Sequence, residues 1–340
     1  MGKILFIDQL QEGGRIDDRF LVKSARLSET RAGKPYLILT LMDKSGELGG
    51  PVWDNAEQFQ EICKPGEFVH VLGVVQSYRD KLQLKVDSIA PVSKDEVDLA
   101  DFLPATHHDR AEMAAELQVL ARSVTNPFVK KLLHFFFKKD EIWNRFQEAP
   151  AAKGIHHAYI GGLLEHSLSM AKVANMLADH YEGVDRSLLI AGALLHDLGK
   201  VEELYMENGV IDYTDRGRLK GHLVIGSEMV GKVAARIKDF PEDVLERLQH
   251  LILSHHGRQE YGSPAVPMTV EAFLLNYIDE LDSKMNVLEQ LRRKMNSTEM
   301  SWSDYQRTLE RYLYLNALQE EQANKEKKHE QMPAKQQSLF

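Results

Sequence analysis

Cysteine is almost missing from this 340-residue chain, where Cys63 stands alone. A single cysteine excludes an internal disulfide framework and any zinc finger built on cysteines. Long apolar runs are missing too. The longest, around residues 188–195, fall far short of the roughly 20 residues needed to cross a bilayer. The first eight residues hold one lysine and a very short apolar stretch, so no signal peptide is expected. Positive charge is in deficit, with 42 Lys+Arg against 51 Asp+Glu and a formal net charge of −9. That balance argues against broad non-specific nucleic-acid binding, which needs a basic footprint, though not against a local basic groove. A cytoplasmic protein without membrane association is the expectation.

What is present points to a globular chain: 43% apolar and 27% charged residues are ordinary values. At about 100–200 residues per domain, the length predicts two or three domains. The histidines are unevenly spread. Of 14, only His70 and His329 fall outside the stretch from His107 to His256, so the chemistry is expected there.

Residues 19–29, 36–42, 48–53, 68–76 and 82–89 read as strands. Gly33-Lys34-Pro35 and Asp43-Lys-Ser-Gly-Glu47 supply turns. Residues 55–63 form a short helix with Asn55 as its N-cap, and Lys64-Pro-Gly-Glu67 ends it. Three strands, a helix and two strands is the order of a five-stranded OB-fold barrel. Residues 1–92 are therefore assigned to an OB-fold, 93–105 to an acidic linker, 106–320 to an all-α domain and 321–340 to a frayed tail. Helical periodicity is expected over 111–124, 127–137, 139–146, 163–180, 186–195, 223–237, 242–254, 270–295 and 301–318. A small hairpin is expected around Asn208-Gly209.

The motif with most chemistry is Leu194-Leu-His-Asp-Leu-Gly-Lys200. Burying His196 and Asp197 side by side at the end of an apolar helix is costly unless something pairs with them. A divalent cation takes imidazole nitrogen and carboxylate oxygen together. Lys200 sets an ammonium next to that site, which suits a phosphate ester. Other candidate ligands are His166, His222, His255, His256 and Asp279; Asp282 lies one turn beyond Asp279. Seven donors are more than one ion needs and enough for two. His107, His108, His134, His180 and His250 are read as surface or satisfied core histidines.

The pattern His166…His196-Asp197…His222…His255-His256…Asp279 resembles the two-metal form of the HD-domain metallophosphohydrolases. Joined to an OB-fold, it resembles the YhaM family of bacterial 3′→5′ exoribonucleases. The stretch from His156-His-Ala-Tyr-Ile-Gly-Gly to His166 and the stretch from Ser254-His-His-Gly to Tyr261-Gly-Ser-Pro264 add to that match. The resemblance implies metal-dependent cleavage of single-stranded RNA with manganese as the activating ion; cobalt, iron and zinc also suit nitrogen and oxygen donors. It implies that Asp197 bridges the two ions. His166, His196 and Asp279 then complete one site, and His222, His255 and His256 the other. A hydroxide activated by both would release nucleoside 5′-monophosphates, with Lys200 offsetting phosphoryl charge.

For RNA contact, the aromatics Tyr36, Trp53 and Tyr78 are candidate stacking platforms, with Arg31, Lys34, Arg79 and Lys81 in adjoining loops. Residues 1–90 carry 12 Lys+Arg and 13 Asp+Glu, so the barrel as a whole is not basic. Arg218 and Lys220, just before His222, are candidates for the RNA backbone. His156, His157 and Tyr159 either line a substrate channel or cap a helix. Two other functions stay open: hydrolysis of a free nucleotide or cyclic dinucleotide, and a non-catalytic RNA-binding adaptor. Single-stranded DNA is a second candidate substrate, and the long final helix gives a route to a homo-oligomer.

Overall fold

The computed structural model describes residues 3–78, 81–138, 140–153, 157–207, 210–295 and 297–318. It divides the chain into two units, Met1–Asp282 and Ser283–Phe340.

The first unit opens with an antiparallel sheet of β1 (Arg15–Glu29), β2 (Pro35–Asp43), β3 (Gly46–Val52), β4 (Phe68–Tyr78) and β5 (Lys81–Val92), in the order β3-β2-β1-β4-β5. Its first strand begins earlier than the expected residue 19. Asp17 and Asp18 read as loop residues, but β1 pairs with β4 from Arg15↔Val74 onward. The Asp18 carboxylate is used locally, accepting the amides of Ile4 and Leu5 at 2.9 and 2.6 Å. Register shifts near Val22 and Leu72 bend the sheet, and β3 packs against β5 to close the barrel. Gly50 sits at that closure, where an added Cβ would stand 2.1 Å from the Leu84 carbonyl oxygen. Phe20, Val22, Leu37, Leu39, Val69, Val71 and Leu84 fill the interior, and α1 (Ala56–Ile62) plugs one end with Phe59. Asn55 precedes that helix, but not as the expected side-chain cap. Its backbone is left-handed, φ 55°, a conformation asparagine tolerates, and its side chain makes no capping bond.

Beyond the barrel, Phe102 and Leu103 are buried with Leu21, Met42 and Phe68. Helices then follow: α2 (Arg110–Ser123), α3 (Pro127–Phe136), α4 (Glu141–Glu148), α5 (Gly162–His180), α6 (Arg186–Leu195), α7 (Lys200–Glu203), α8 (Asp215–Ala234), α9 (Glu242–Ser254) and α10 (Val270–Lys294). Side chains of Asp109, Asn126, Asp140, Asp185 and Thr214 accept first-turn amides of their helices. All ten residues of α6 except Arg186 are buried, which makes it the axis of the bundle. Between α7 and α8, β6 (Leu204–Glu207) pairs with β7 (Val210–Tyr213) as the expected hairpin; Asn208 and Gly209 lie outside the described residues. The start of α8 precedes the expected residue 223, because Thr214 caps a polar first turn that carries no periodic signal. Gly221, φ 72°, breaks the helix just before His222. Among the described residues, no helix is long and apolar enough to cross a membrane.

In the second unit, the helix expected over 301–318 is not found. Two short strands, β8 (Ser301–Trp302) and β9 (Tyr314–Leu315), pair antiparallel there. The aromatic spacing that mimics a helical face serves a turn instead: Trp302 lies 5.1 Å from Tyr314 and Tyr305 lies 5.3 Å from Tyr312, ring to ring. The expected tail, 321–340, lies outside the described residues.

Candidate metal centre

Five chain segments converge on Asp197. Leucines and alanines bury α6, and the chain leaves its C-terminal end through His196 and Asp197, which are 0% and 2% exposed. The His196 ring is fixed by a 3.0 Å contact of Nδ1 with the Ala193 carbonyl oxygen, which leaves Nε2 facing the site. His166, on the second turn of α5, brings its Nε2 to 3.2 Å from His196 Nε2 and 3.7 Å from Asp197 Oδ2. Asp279 on α10 faces the same nitrogen at 3.2 Å. On the other side, His222 Nε2 lies 3.4 Å and His255 Nε2 3.7 Å from Asp197 Oδ1. The ring of His256 stands 4.5 Å from that of His255 and 5.2 Å from that of His222.

The two oxygens of Asp197 therefore face two different groups. One donor set is His166, His196 and Asp197, the other His222, His255 and His256; in each, the ligand atoms lie within 4.8 Å of one another. Both sets fit a divalent cation, in donor chemistry and in spacing. A further sign is that Asp197 Oδ1 and His222 Nε2 are buried without a hydrogen-bond partner, which is costly for polar atoms unless something else satisfies them. All seven residues expected as ligands thus come together, with Asp279 beside His166.

Charge in the centre is arranged accordingly. Burial opposes ionisation of Asp197, but Lys200, with Nζ 2.5 Å from Oδ2, and the neighbouring His196 and His222 hold its carboxyl well below the usual range. Burial drives His255 far below the ordinary imidazole value and His256 in the same direction, so both stay neutral and able to ligate. For His166, burial is outweighed by hydrogen bonds to Asp279 and Asp282, which raise it to about 10, so a cation at Nε2 would have to displace the proton shared with Asp279.

The sequence assigns no orienting role to Glu203 or Asp282, although it marks Asp282 as the acid one turn beyond Asp279. Glu203 accepts the His222 amide at 2.9 Å and faces its Nδ1 at 3.1 Å, orienting that ring. Asp282 takes His166 Nδ1 at 2.7 Å, and His157 Nε2 at 3.2 Å. The signal for both was spacing: Glu203 follows Lys200, and Asp282 follows Asp279, by one helical turn.

The residues expected to meet RNA are distributed as follows. Tyr36 and Trp53 stack on each other, centroids 4.8 Å apart, with Trp53 half exposed beside a groove lined by Lys34, Pro35, Asp54 and Asn55. Tyr78 and Arg31 are exposed, and Lys34 pairs with Asp54 at 3.3 Å. Arg79, the side chain of Lys81, and His156 lie outside the described residues. Arg218 and Lys220 are engaged on the surface, with Asp212 at 3.0 Å and Glu228 at 2.6 Å.

Comparison with known proteins identifies both parts of the chain. A model of the HD domain matches residues 163–284, and one of the OB-fold nucleic acid binding domain matches residues 21–92. The 3′-5′ exoribonuclease YhaM of Bacillus subtilis (strain 168) is 39% identical over 290 residues, covering 84% of this chain and 90% of that one. The chain belongs to the YhaM family of 3′-5′ exoribonucleases. YhaM proteins of Geobacillus sp. (strain WCH70) and Shouchella clausii (strain KSM-K16) are each 37% identical over 292 residues, covering 85% of this chain and 88% and 90% of theirs. All seven candidate ligands lie inside the part matched by the HD domain.

Proposed function

We propose that this member of the YhaM family is a cytoplasmic, two-metal 3′→5′ exoribonuclease that shortens single-stranded RNA to nucleoside 5′-monophosphates. The observation that carries the reading is the Asp197 carboxylate, with one oxygen turned to each of two donor sets. Divalent ions held there, manganese foremost, would activate water and offset charge on the scissile phosphate. The residues themselves supply the rest. His166, His196 and Asp279 hold one ion and His222, His255 and His256 the other, with Asp197 shared. Lys200, buried beside Asp197, presents its ammonium where phosphoryl charge develops.

In this reading residues 1–92 hold the strand, 106–320 cut it, and 93–105 link the two. Bases stack on the Tyr36–Trp53 pair and on Tyr78, while Arg31, Lys34, Arg79 and Lys81 meet phosphates. Arg218 and Lys220 reach the backbone by giving up exposed ion pairs, which water and salt screen heavily.

The test is a 5′-labelled single-stranded RNA incubated with the full-length protein and Mn²⁺. A descending ladder with mononucleotide release is expected, absent in Asp197→Ala. An intact oligomer together with turnover of free or cyclic nucleotides would replace this reading. Cleavage of the matching DNA at an equal rate would remove the preference for RNA.

A further inference from the structure

His166 is held from behind by residues outside the donor set. Its Nε2 faces Asp197 and Asp279, while Nδ1 lies 2.7 Å from Asp282 Oδ2. His157 Nε2 reaches the same oxygen at 3.2 Å, and the Ser169 hydroxyl donates to Oδ1. The Tyr159 hydroxyl lies 2.9 Å from His157 Nδ1 and donates to Glu165 at 3.0 Å. His157 is 3% exposed, and Tyr159, Glu165, Ser169 and Asp282 around it are half-buried.

The backbone is shaped to deliver it. His157 has a positive φ of 49°, uncommon outside glycine but taken by histidine, as by asparagine, more readily than by most residues. Its carbonyl oxygen accepts the Ala151 amide at 3.0 Å. A Cβ on Gly162, the first residue of α5, would stand 2.0 Å from that oxygen, so only glycine lets the two segments approach so closely. The same stretch of backbone that meets Ala151 and Gly162 thus sets the His157 imidazole against Asp282.

We infer that Asp282, clamped by His157 and Ser169, is the positioning residue of the ligand His166. It fixes the ring so that Nδ1 donates to the carboxylate and Nε2 is left to ligate. Partners of this kind behind a metal-bound histidine govern affinity without touching the ion. The inference rests on divalent ions occupying the two donor sets, and it singles out one set: Asp282 touches His166, and none of His222, His255 or His256.

His157, His166 and Asp282 are also close enough to hold an ion themselves. Against that use, Asp282 already accepts from three side chains, and Nε2 of His166 is turned to the other group.

The experiment is a Mn²⁺ titration of the full-length protein, with free ion followed by electron paramagnetic resonance, on the wild type, D282N, H157Q and S169A. Thermal melts by circular dichroism run alongside. Asparagine keeps the shape of Asp282 but not its charge, so it is a weaker acceptor for the two imidazoles that share Oδ2. The wild type is expected to take up two ions. In D282N one of them weakens by roughly 10–100-fold while the other is unchanged; H157Q and S169A shift the same ion less. Two ions bound to D282N as in the wild type overturn the positioning role alone. A third ion in the wild type, lost in D282N, overturns it in favour of a further site. No Mn²⁺ uptake by the wild type overturns the metal reading as well. Should D282N fail to fold, unchanged Mn²⁺ affinity in both H157Q and S169A overturns the inference.

Discussion

Asp197 concentrates the demands of the site in one side chain. It is buried, it faces four imidazoles and one ammonium, and one of its oxygens has no hydrogen-bond partner. Asp197→Asn keeps the volume but removes the charge that both donor sets share. Cleavage of labelled RNA should fall to background while the thermal melt stays cooperative. A second prediction at this scale concerns Cys63, 1% exposed in the barrel core, whose thiol is pushed by burial up to about 11 from an ordinary 9.0. The folded state then holds a proton that the unfolded state has released. This contribution to stability is complete below pH 9 and is lost as the pH rises towards 11. Denaturant midpoints of Cys63→Ala should fall less steeply over that range than those of the wild type. A disulfide exchange reagent at pH 8 should label the native wild type slowly and the denatured chain at once. His196-Asp197 was legible in the sequence because adjacent polar residues closing an apolar helix have no other easy partner. Asp282 and Glu203 were not, since an acid one turn along a helix reads the same whether it meets solvent or a buried imidazole.

The helices work by holding these side chains at close range, and glycine sets how close. Gly199, at the start of α7, lies so near α8 that a Cβ would stand 2.1 Å from the His222 carbonyl oxygen and 2.7 Å from the Gly226 nitrogen. Backbone atoms cannot yield as a flexible side chain can. Gly199→Ala should cost about 1–3 kcal/mol in a denaturant melt, as overpacking does. It should also displace His222, so under the proposed function Mn²⁺ uptake by the His222 set should weaken more than uptake by the other. At the scale of elements the sequence was readable wherever apolar spacing was long and regular. The bounds of α6 and α9 match the expected 186–195 and 242–254. It misled at 301–318, where Trp302, Tyr305 and Tyr312, three and then seven residues apart, fit a helical face and a tight strand pair equally well. It was silent at the start of α8, whose first turn, Asp215 to Lys220, is polar apart from Leu219 and held by its Thr214 cap.

For the molecule as a whole, the barrel and the centre have separable tasks under the proposed function. Trp53→Ala removes half of the stacked pair on the barrel and touches no candidate ligand. Affinity for a single-stranded RNA should drop by about 1–3 kcal/mol, the usual worth of one stacked base, measured by fluorescence anisotropy. Turnover of a small chromogenic phosphodiester should not change. Chelation should have the opposite profile, abolishing turnover of both substrates while leaving RNA binding to the barrel in place. The general plan, a barrel followed by helices, was plain from the switch in periodicity after Pro91. The pairing of surface cations with nearby acids was not, because Arg218 and Lys220 find Asp212 and Glu228 only once the hairpin and α8 are folded.

The donors are spread from His166 to Asp279, and the last of them rides on α10. During synthesis a protein folds from its N-terminus, so the barrel is complete while the centre still lacks a carboxylate. Under the proposed function, a nascent copy, tethered within reach of its own message, would therefore hold a transcript well before it could degrade one.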